Sequence, residues 1–432
     1  MQTRQVTLQA PATNTTQNYT VSGFGTPEAA IILSSSGSSG SWTNNGMLGL
    51  GFWDGTNQNV TGMGYTNGDT LDGGAGRQFW SPTDVVWYCV NGSSTNVRQA
   101  TVTNTVTDGI ELTWSGTSTG VRPYVTVILF KNLNGAQTGF RTASDTDTGT
   151  TQTTTTGITP KLILFAGRLS DVSSEGSGST PRTYFGFACD NGATIDNYSV
   201  GWRQRHDTNP TDMNGQVLSD ACIPFDVGTF GTVTNSCAVT AMTSGSFTTT
   251  STIGETVFAS SHNYLALDFD ESVVGFSAAT PTSAGDFDPY TASFQPQWFF
   301  AFPTGFAATD TAYSDDQDGV EGHHIYSVNK FAEEDSHNAI IENGSTDVTL
   351  IYSQGAHYSG LQINRVSATP GPEDLITGSS PSFDASGVVY TDANFSHDTG
   401  QAHQIIGFFV GDETGSTIAP QAMYHYRNHG KI

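Results

Sequence analysis

The sequence predicts an all-β protein made of three tandem β-sandwich, jelly-roll-like domains, and three observations predict it. Short β-branched and aromatic runs alternate with turn dipeptides, the pattern of a sandwich or barrel. The chain is poor in charge, at 13%, and rich in punctuation, with 49 glycines and 16 prolines in 432 residues. A set of landmarks also recurs along the chain at a period of ~135 residues, the mark of an internal repeat.

The repeat is read from its landmarks in order. An aromatic or aliphatic residue, a short step and a proline lead into an apolar run three times. Phe24-Gly25-Thr26-Pro27 precedes EAAIIL, Ile158-Thr159-Pro160 precedes KLILFAG, and Phe294-Gln295-Pro296 precedes QWFFAF. The prolines lie 133 and 136 residues apart. A glycine/aromatic strand follows each: LGLGFWDG at 48–55, YFGFACDNG at 184–192 and, more divergent, GHHIYSVN at 322–329. Each copy then closes with a strand pair ending in VTVILF at 125–130, NYLALDF at 263–269 or QIIGFFV at 404–410. These landmarks divide the chain into domains at 1–132, 133–270 and 271–432, each long enough to bury its own core.

Within the copies, Asn67-Gly68, Asn191-Gly192 and Asn343-Gly344 supply the positive φ angles of tight hairpins. In the first closing strand, Val125, Val127 and Leu129 address one face and Thr126, Ile128 and Phe130 the other. The seams at 133–157 and 271–293 match the lead-in VTLQAPATNTTQNYTVSG of the first copy, so they read as first strands rather than loose linkers. One helix is expected, around FAEEDSHNAI at 331–340.

Composition excludes several classes. Fifteen Lys+Arg against 40 Asp+Glu give a net charge of −25, which argues against a nucleic-acid binder, because Lys and Arg make the phosphate contacts. No stretch approaches the ~20 apolar residues of a membrane span, and 11% aromatic content argues against disorder. The octet Met1-Gln2-Thr3-Arg4-Gln5-Val6-Thr7-Leu8 has no apolar signal-peptide core, so the chain is expected to fold in the cytoplasm where it is made. Cys89, Cys189, Cys222 and Cys237 form no C-x-x-C pair and are expected to be small buried apolar residues. The sequons at Asn14 and Asn197 read as chance products of a Ser/Thr/Asn-rich chain.

Candidate chemistry is sparse. Gly116-Thr117-Ser118-Thr119-Gly120 matches a serine-hydrolase elbow, but that chemistry needs a strand-to-helix turn, and here the segment reads as a hairpin connection between two strands. The acidic run from Ser314 to Glu321 resembles the front of a calcium loop. Its first position is not a carboxylate and its twelfth is Ile325, so it reads as a solvated loop. Eight of ten histidines fall in the third copy: His323, His324, His337, His357, His397, His403, His425 and His429. None forms a tight ligand motif, and no metal or cofactor is expected. Trp42, Trp53, Trp202 and Trp298 could stack on sugars, but in sandwiches such residues are more often core. No catalytic residue is assigned, and no glycine-rich phosphate loop is present.

Charge is graded along the copies. Lys+Arg against Asp+Glu is 5 to 7 in residues 1–132, 6 to 13 in 133–270 and 4 to 20 in 271–432. Three domains imitating a trimer should have similar surfaces, so the gradient favours a tandem row with an anchoring and a distal end.

Tandem sandwich modules, a Phe-x-Pro lead into an apolar strand, no signal peptide and a Gly/Ser/Thr/Asn-rich composition resemble the structural proteins of tailed-phage particles. The resemblance spans most of the chain and rests on repeat architecture rather than on a fingerprint. It implies a non-enzymatic virion protein assembled in the host cytoplasm: a capsid decoration, a head fibre or a tail-fibre component. The implied partners are other virion proteins, further copies of the chain in a homo-oligomer and a host-surface glycan. The alternative is a glycan-binding adhesin or polysaccharide depolymerase, which would need a carboxylate-lined cleft with exposed tryptophans. A bacterial surface protein is a third reading, and the missing export signal counts against it.

Overall fold

The computed structural model describes residues 1–35, 42–44, 47–65, 76–89, 97–117, 122–143, 148–168, 182–205, 212–227, 233–253, 260–304, 312–314, 321–330, 334–343, 350–354, 361–366, 372–378, 382–383, 387–390, 395–397 and 402–413. These residues form an all-β structure of antiparallel sheets. Residues 1–132 contribute β1 Gln2–Gln9, β2 Thr16–Thr20, β3 Ala29–Ser35, β4 Trp42–Asn44, β5 Met47–Trp53, β6 Gln58–Tyr65, β7 Gly76–Ser81, β8 Val86–Cys89, β9 Val97–Val106, β10 Gly109–Gly116 and β11 Tyr124–Lys131. Residues 133–270 contribute β12 Gly135–Ala143, β13 Thr151–Thr155, β14 Leu162–Arg168, β15 Arg182–Asp190, β16 Ile195–Arg205, β17 Asp212–Leu218, β18 Ile223–Val227, β19 Val233–Thr243, β20 Ser246–Ile253 and β21 Ser260–Asp268. Residues 271–432 contribute β22 Ser272–Ala279, β23 Phe294–Pro303, β24 Ala312–Ser314, β25 Glu321–Asn329, β26 Glu334–Asn343, β27 Leu350–Gln354, β28 Leu361–Val366, β29 Pro372–Gly378, β30 Ser382–Phe383, β31 Val388–Val389, β32 Phe395–His397 and β33 Gln404–Glu413. Among the described residues, no helix is long and apolar enough to cross a membrane.

Three large sheets share one strand order. They run β1-β11-β3-β5-β6-β7, β12-β21-β14-β15-β16-β17 and β22-β33-β23-β25-β26-β27. In each, the first and last strands of the segment pair, and the run after the proline landmark pairs with the last strand. Four-stranded sheets β2-β10-β9-β8 and β13-β20-β19-β18 cover the first two. Over the third lie β30-β31 and the bridges Phe287↔Tyr390 and Thr291↔Gly387, with β28-β29-β32 as a further small sheet.

Both faces of central strands such as β3, β5 and β11 are buried, which explains why these strands are continuous apolar runs rather than alternating ones. In β11, Val125, Val127 and Leu129 pack toward the small sheet with Ile32 and Trp114. Ile128 and Phe130 face the opposite way, into a second core, as the alternation predicts. That second core is common to all three segments. Ile31, Leu50 and Phe130 meet Leu164, Phe187 and Leu265, and both sets meet Trp298, Phe300 and Phe408. Phe130 stacks edge-on against Trp298 at 5.1 Å, and Phe187 against Phe408 at 5.1 Å. Each segment has its own inner core, as its length predicts, and all three also share this further one.

The shared core corrects the tandem row. Contacts run head to tail in a closed ring: β5–β7 against β12, β14 and β21, β15–β16 against β22 and β33, and β25–β26 against β1 and β3. Two short strands cross between segments. β24 adds to β17, and β4 adds to β27. A row would leave the inner face of each large sheet in water, and those faces carry Phe52, Phe130, Phe187, Trp298, Phe300 and Phe408.

Three smaller expectations resolve. The seams are strands β12, β13 and β22, as the lead-in comparison predicts. The closing strands are not hairpin pairs: β10 and β20 lie in the small sheets while β11 and β21 lie in the large ones, so the chain crosses between layers there. The helix expected at 331–340 is replaced by β26, which bonds β25 on one edge and β27 on the other. Two ladders outweigh a weak helical propensity. Residues 331–333 lie outside the described set.

The glycine/aromatic landmark has a packing cause. A Cβ on Gly51 would sit 2.1 Å from the Val85 carbonyl, and one on Gly186 would sit 2.0 Å from the Cys222 carbonyl. Those glycines let the small-sheet backbone touch the large sheet.

Phe187→Ala removes a ring from the shared core and should destabilise the whole chain by about 3–5 kcal/mol. Calorimetry should show one cooperative transition shifting as a unit; three separate transitions would contradict a common core.

Candidate functional site

The seams between segments carry buried polar chemistry, because the ring brings strands of different segments into hydrogen-bonding contact. At the first seam Asn59 Nδ2 donates to Thr138 Oγ1 at 2.9 Å and to the Gly139 carbonyl at 3.0 Å. Beside it Asn263 Nδ2 donates to Thr61 Oγ1 at 2.7 Å and Asn263 Oδ1 accepts from Trp80 Nε1 at 2.7 Å. The Asp54 carboxylate accepts from the Thr138 N–H at 2.8 Å. At the second seam Asp196 accepts from the Gly275 N–H at 3.1 Å. At the third, Asn329 Nδ2 donates to the carbonyl and hydroxyl of Thr3. An Asp or Asn bonded to the first strand of the next segment thus recurs around the ring.

The third seam also opens a cavity of about 450 Å³, lined on one side by Met1, Thr3, Arg4 and Phe24 and on the other by Glu271 and Asp412. Its carboxylates are engaged: Glu271 pairs with the Met1 ammonium, and Asp412 accepts from Gln297 Nε2. Burial lowers the ammonium pKa, and Asp412, Asp270 and Glu28 oppose that shift. Lys161 Nζ closes the neighbouring turn on the Asp270 and Glu271 carbonyls, both at 3.0 Å. This arrangement fastens the ends of two segments.

Buried titratable groups form two further clusters. Tyr184 Oη and His262 Nδ1 are hydrogen-bonded at 2.6 Å, with Gly167 making room for both rings. Burial, reinforced by Arg141, pushes the His262 pKa well below 6.5, and burial raises that of Tyr184. Arg141 in turn donates to Gln152 Oε1 at 2.9 and 2.6 Å. In the first segment the buried Arg98 donates to Asn14 Oδ1 at 2.5 Å and to the Pro11 and Thr13 carbonyls, both at 2.8 Å, with its guanidinium 5.4 Å from the Trp114 ring centre. It clamps the β1–β2 connection, whose neutral oxygens supply the hydrogen bonds that a buried cation requires.

The residues singled out by sequence are not brought together. Thr117 follows β10 and bonds Val97, while Ser118 lies outside the described residues. Ser314 ends β24 and Glu321 opens β25, with 315–320 undescribed. His323 and His324 pair with Ile340 and Ala339, and His337 pairs with Tyr326. His397 ends β32, and His403 is buried beside Thr280. His357, His425 and His429 lie outside the described residues. Among the described residues no group of three or more His, Cys, Asp or Glu is placed to hold a metal ion.

Trp53 and Trp298 are core residues, while Trp42 and Trp202 have side chains outside the described set. Cys189, Cys222 and Cys237 are buried, as expected of small apolar residues, and the Cys89 side chain is not described. The sequon residue Asn197 is also buried, bonded through its amide to Val239 N and O, and is closed to glycosylation. Sequence reasoning missed Trp80, His262 and Arg98. A tryptophan before Ser81 or an arginine in a threonine-rich strand carries no spacing signal of its own.

No protein-family model matches this chain, and no curated protein matches it in sequence.

His262 gives a pH dependence with a definite sign. It is neutral in the fold but protonates near pH 6.5 once unfolded, so its contribution is complete above that pH and is lost as pH falls. Below pH 6.5 the wild type should lose up to about 1.4 kcal/mol per pH unit relative to His262→Gln. Urea melts of both chains between pH 7.5 and 5 measure the difference; parallel curves would refute it.

Proposed function

We propose that the chain is a non-enzymatic structural protein of a tailed-phage particle, displayed on its surface as a single-chain counterpart of a trimer. The observation that supports this reading is the closed ring: three sandwiches fused around one apolar core, with strands exchanged between segments. The head-to-tail contacts have the layout of a cyclic homotrimer, and one polypeptide supplies all three parts. Such a body needs no assembly partner to be stable and can seat on a threefold or near-threefold position of a particle. The polar groups of its seams are engaged in fastening the ring, which suits a building block. The unequal charges of the three segments let one face of the ring differ from the others toward capsid or tail proteins.

The glycan-binding or depolymerase reading loses Trp53 and Trp298 to the cores. It retains the ring of Phe140, 42% exposed and tilted against Trp80 at 4.8 Å.

Mass spectrometry of density-purified tailed particles from the host carrying this gene tests the proposal. The chain should be a stoichiometric particle component that co-sediments with infectivity. Its recovery only in the soluble fraction would overturn the virion reading, and release of oligosaccharides from host surface polymer by the purified chain would replace it with the enzymatic one.

A further inference from the structure

The three segments present comparable edges on their outer sheets, and among the described residues only that of the second segment has no charged side chain on its edge strand or on the two strands behind it. Strand β2 pairs with β10 on one side. There Asn18 lies opposite Glu111, and Asp108 accepts from the N–H groups of Gly23 and Gly25 at the strand's end. In the third segment the corresponding stretch, bridged to 387–390, carries Asp286 and Asp288. Strand β13, Thr-Gln-Thr-Thr-Thr, pairs with β20 only. Neither it, nor β20, nor β19 contains a single Asp, Glu, Lys or Arg. Natural edge strands are usually blunted by charge, proline or a bulge, and β13 carries neither charge nor proline.

Its backbone is set for a further strand. Ser251 N–H bonds the Thr150 carbonyl and Thr156 N–H bonds the Gly245 carbonyl. In an antiparallel ladder alternate residues face the same neighbour, so Gln152 and Thr154 face β20, and the N–H and C=O of Thr151, Thr153 and Thr155 point outward. The side chains of those three threonines are exposed. Behind them the outer face is a hydroxyl grid, with Thr153–Thr248 at 3.0 Å, Thr240–Thr250 at 2.8 Å and Thr243–Ser246 at 2.9 Å.

We infer that β13 is the dimerisation edge of this protein, taking β13 of a second copy in antiparallel register with Thr153 on the twofold axis. Two arguments select a second copy rather than another partner. The strand is self-complementary: in that register Thr151 faces Thr155 of the partner strand and Thr153 faces itself, so the hydroxyl rows continue across the junction, and threonine pairs are favourable cross-strand neighbours. The chain also carries a net charge of −25, so two copies can approach closely only where both are neutral, and the β13 edge is such a place. The inference stands apart from the virion reading, since it concerns the isolated chain.

Sedimentation velocity of the full chain across a concentration series should show a monomer–dimer equilibrium. Thr153→Lys should weaken it by at least ~10-fold while leaving circular dichroism and the melting temperature unchanged. Thr153→Pro, which deletes an outward N–H without touching a backbone bond to β20, should do the same, and Asn18→Lys on the edge of the first segment should not. If the Lys variant misfolds, hydrogen exchange on the wild type decides: the amides of Thr151, Thr153 and Thr155 should become protected as concentration rises. A strictly monomeric wild type, a dimer indifferent to both Thr153 variants, or concentration-independent exchange would each overturn the inference.

Discussion

The shared apolar core is the constraint on which the rest of this structure depends. An antiparallel sheet with one wet face is an ordinary solution, and each large sheet here could have been one. Instead Ile31, Phe52, Phe187, Phe300 and Phe408 point away from their own small sheets, and the only way to remove them from water is to bring three sheets together. Once that happens the ring geometry, the head-to-tail seams and the crossing of β4 and β24 follow. Dispersion and burial act on close-packed rings such as Phe187, Phe302 and Phe408, so the segments cannot drift apart without opening the core.

Placing strands of different segments side by side creates a second problem. Backbone and amide groups at the seams lose water and must find partners. The answers are local and uneven. The first seam uses the Asn59, Asn263 and Asp54 set, the second uses Asp196, and the third uses Asn329 with the pairing of Met1 and Glu271. Divergence of the three segments in sequence is tolerated because each seam needs only some donor–acceptor pair at about the right height, while the core needs volume and apolarity at fixed positions.

The charge gradient takes on a different meaning in a ring than in a row. In a row it would mark a near and a far end. Around a ring it differentiates faces, so that the third segment carries half of the carboxylates while the outer sheet of the second is neutral along β13, β19 and β20. A strongly acidic body keeps itself soluble through repulsion, and a neutral window in it directs where contact can occur. This asymmetry suits a building block that touches dissimilar neighbours.

Much of the fold was legible in the sequence because its signals are local. Turn residues such as Asn191-Gly192, the two-faced pattern of 125–130, and the spacing of Pro27, Pro160 and Pro296 determined an all-β chain with three like stretches. The apolar runs EAAIIL, KLILFAG and QWFFAF also carried a message that alternation rules overlook: a strand apolar on both faces has something to bury on each. What covered the second face was decided only in three dimensions, since no spacing in the chain says that Phe130 will meet Trp298. The same holds for His262 against Tyr184 and Arg98 under Asn14, which lie 78 and 84 residues apart. Sequence sets the character of each strand face through local chemistry, while the choice of partner for that face depends on how all the faces can be covered at once.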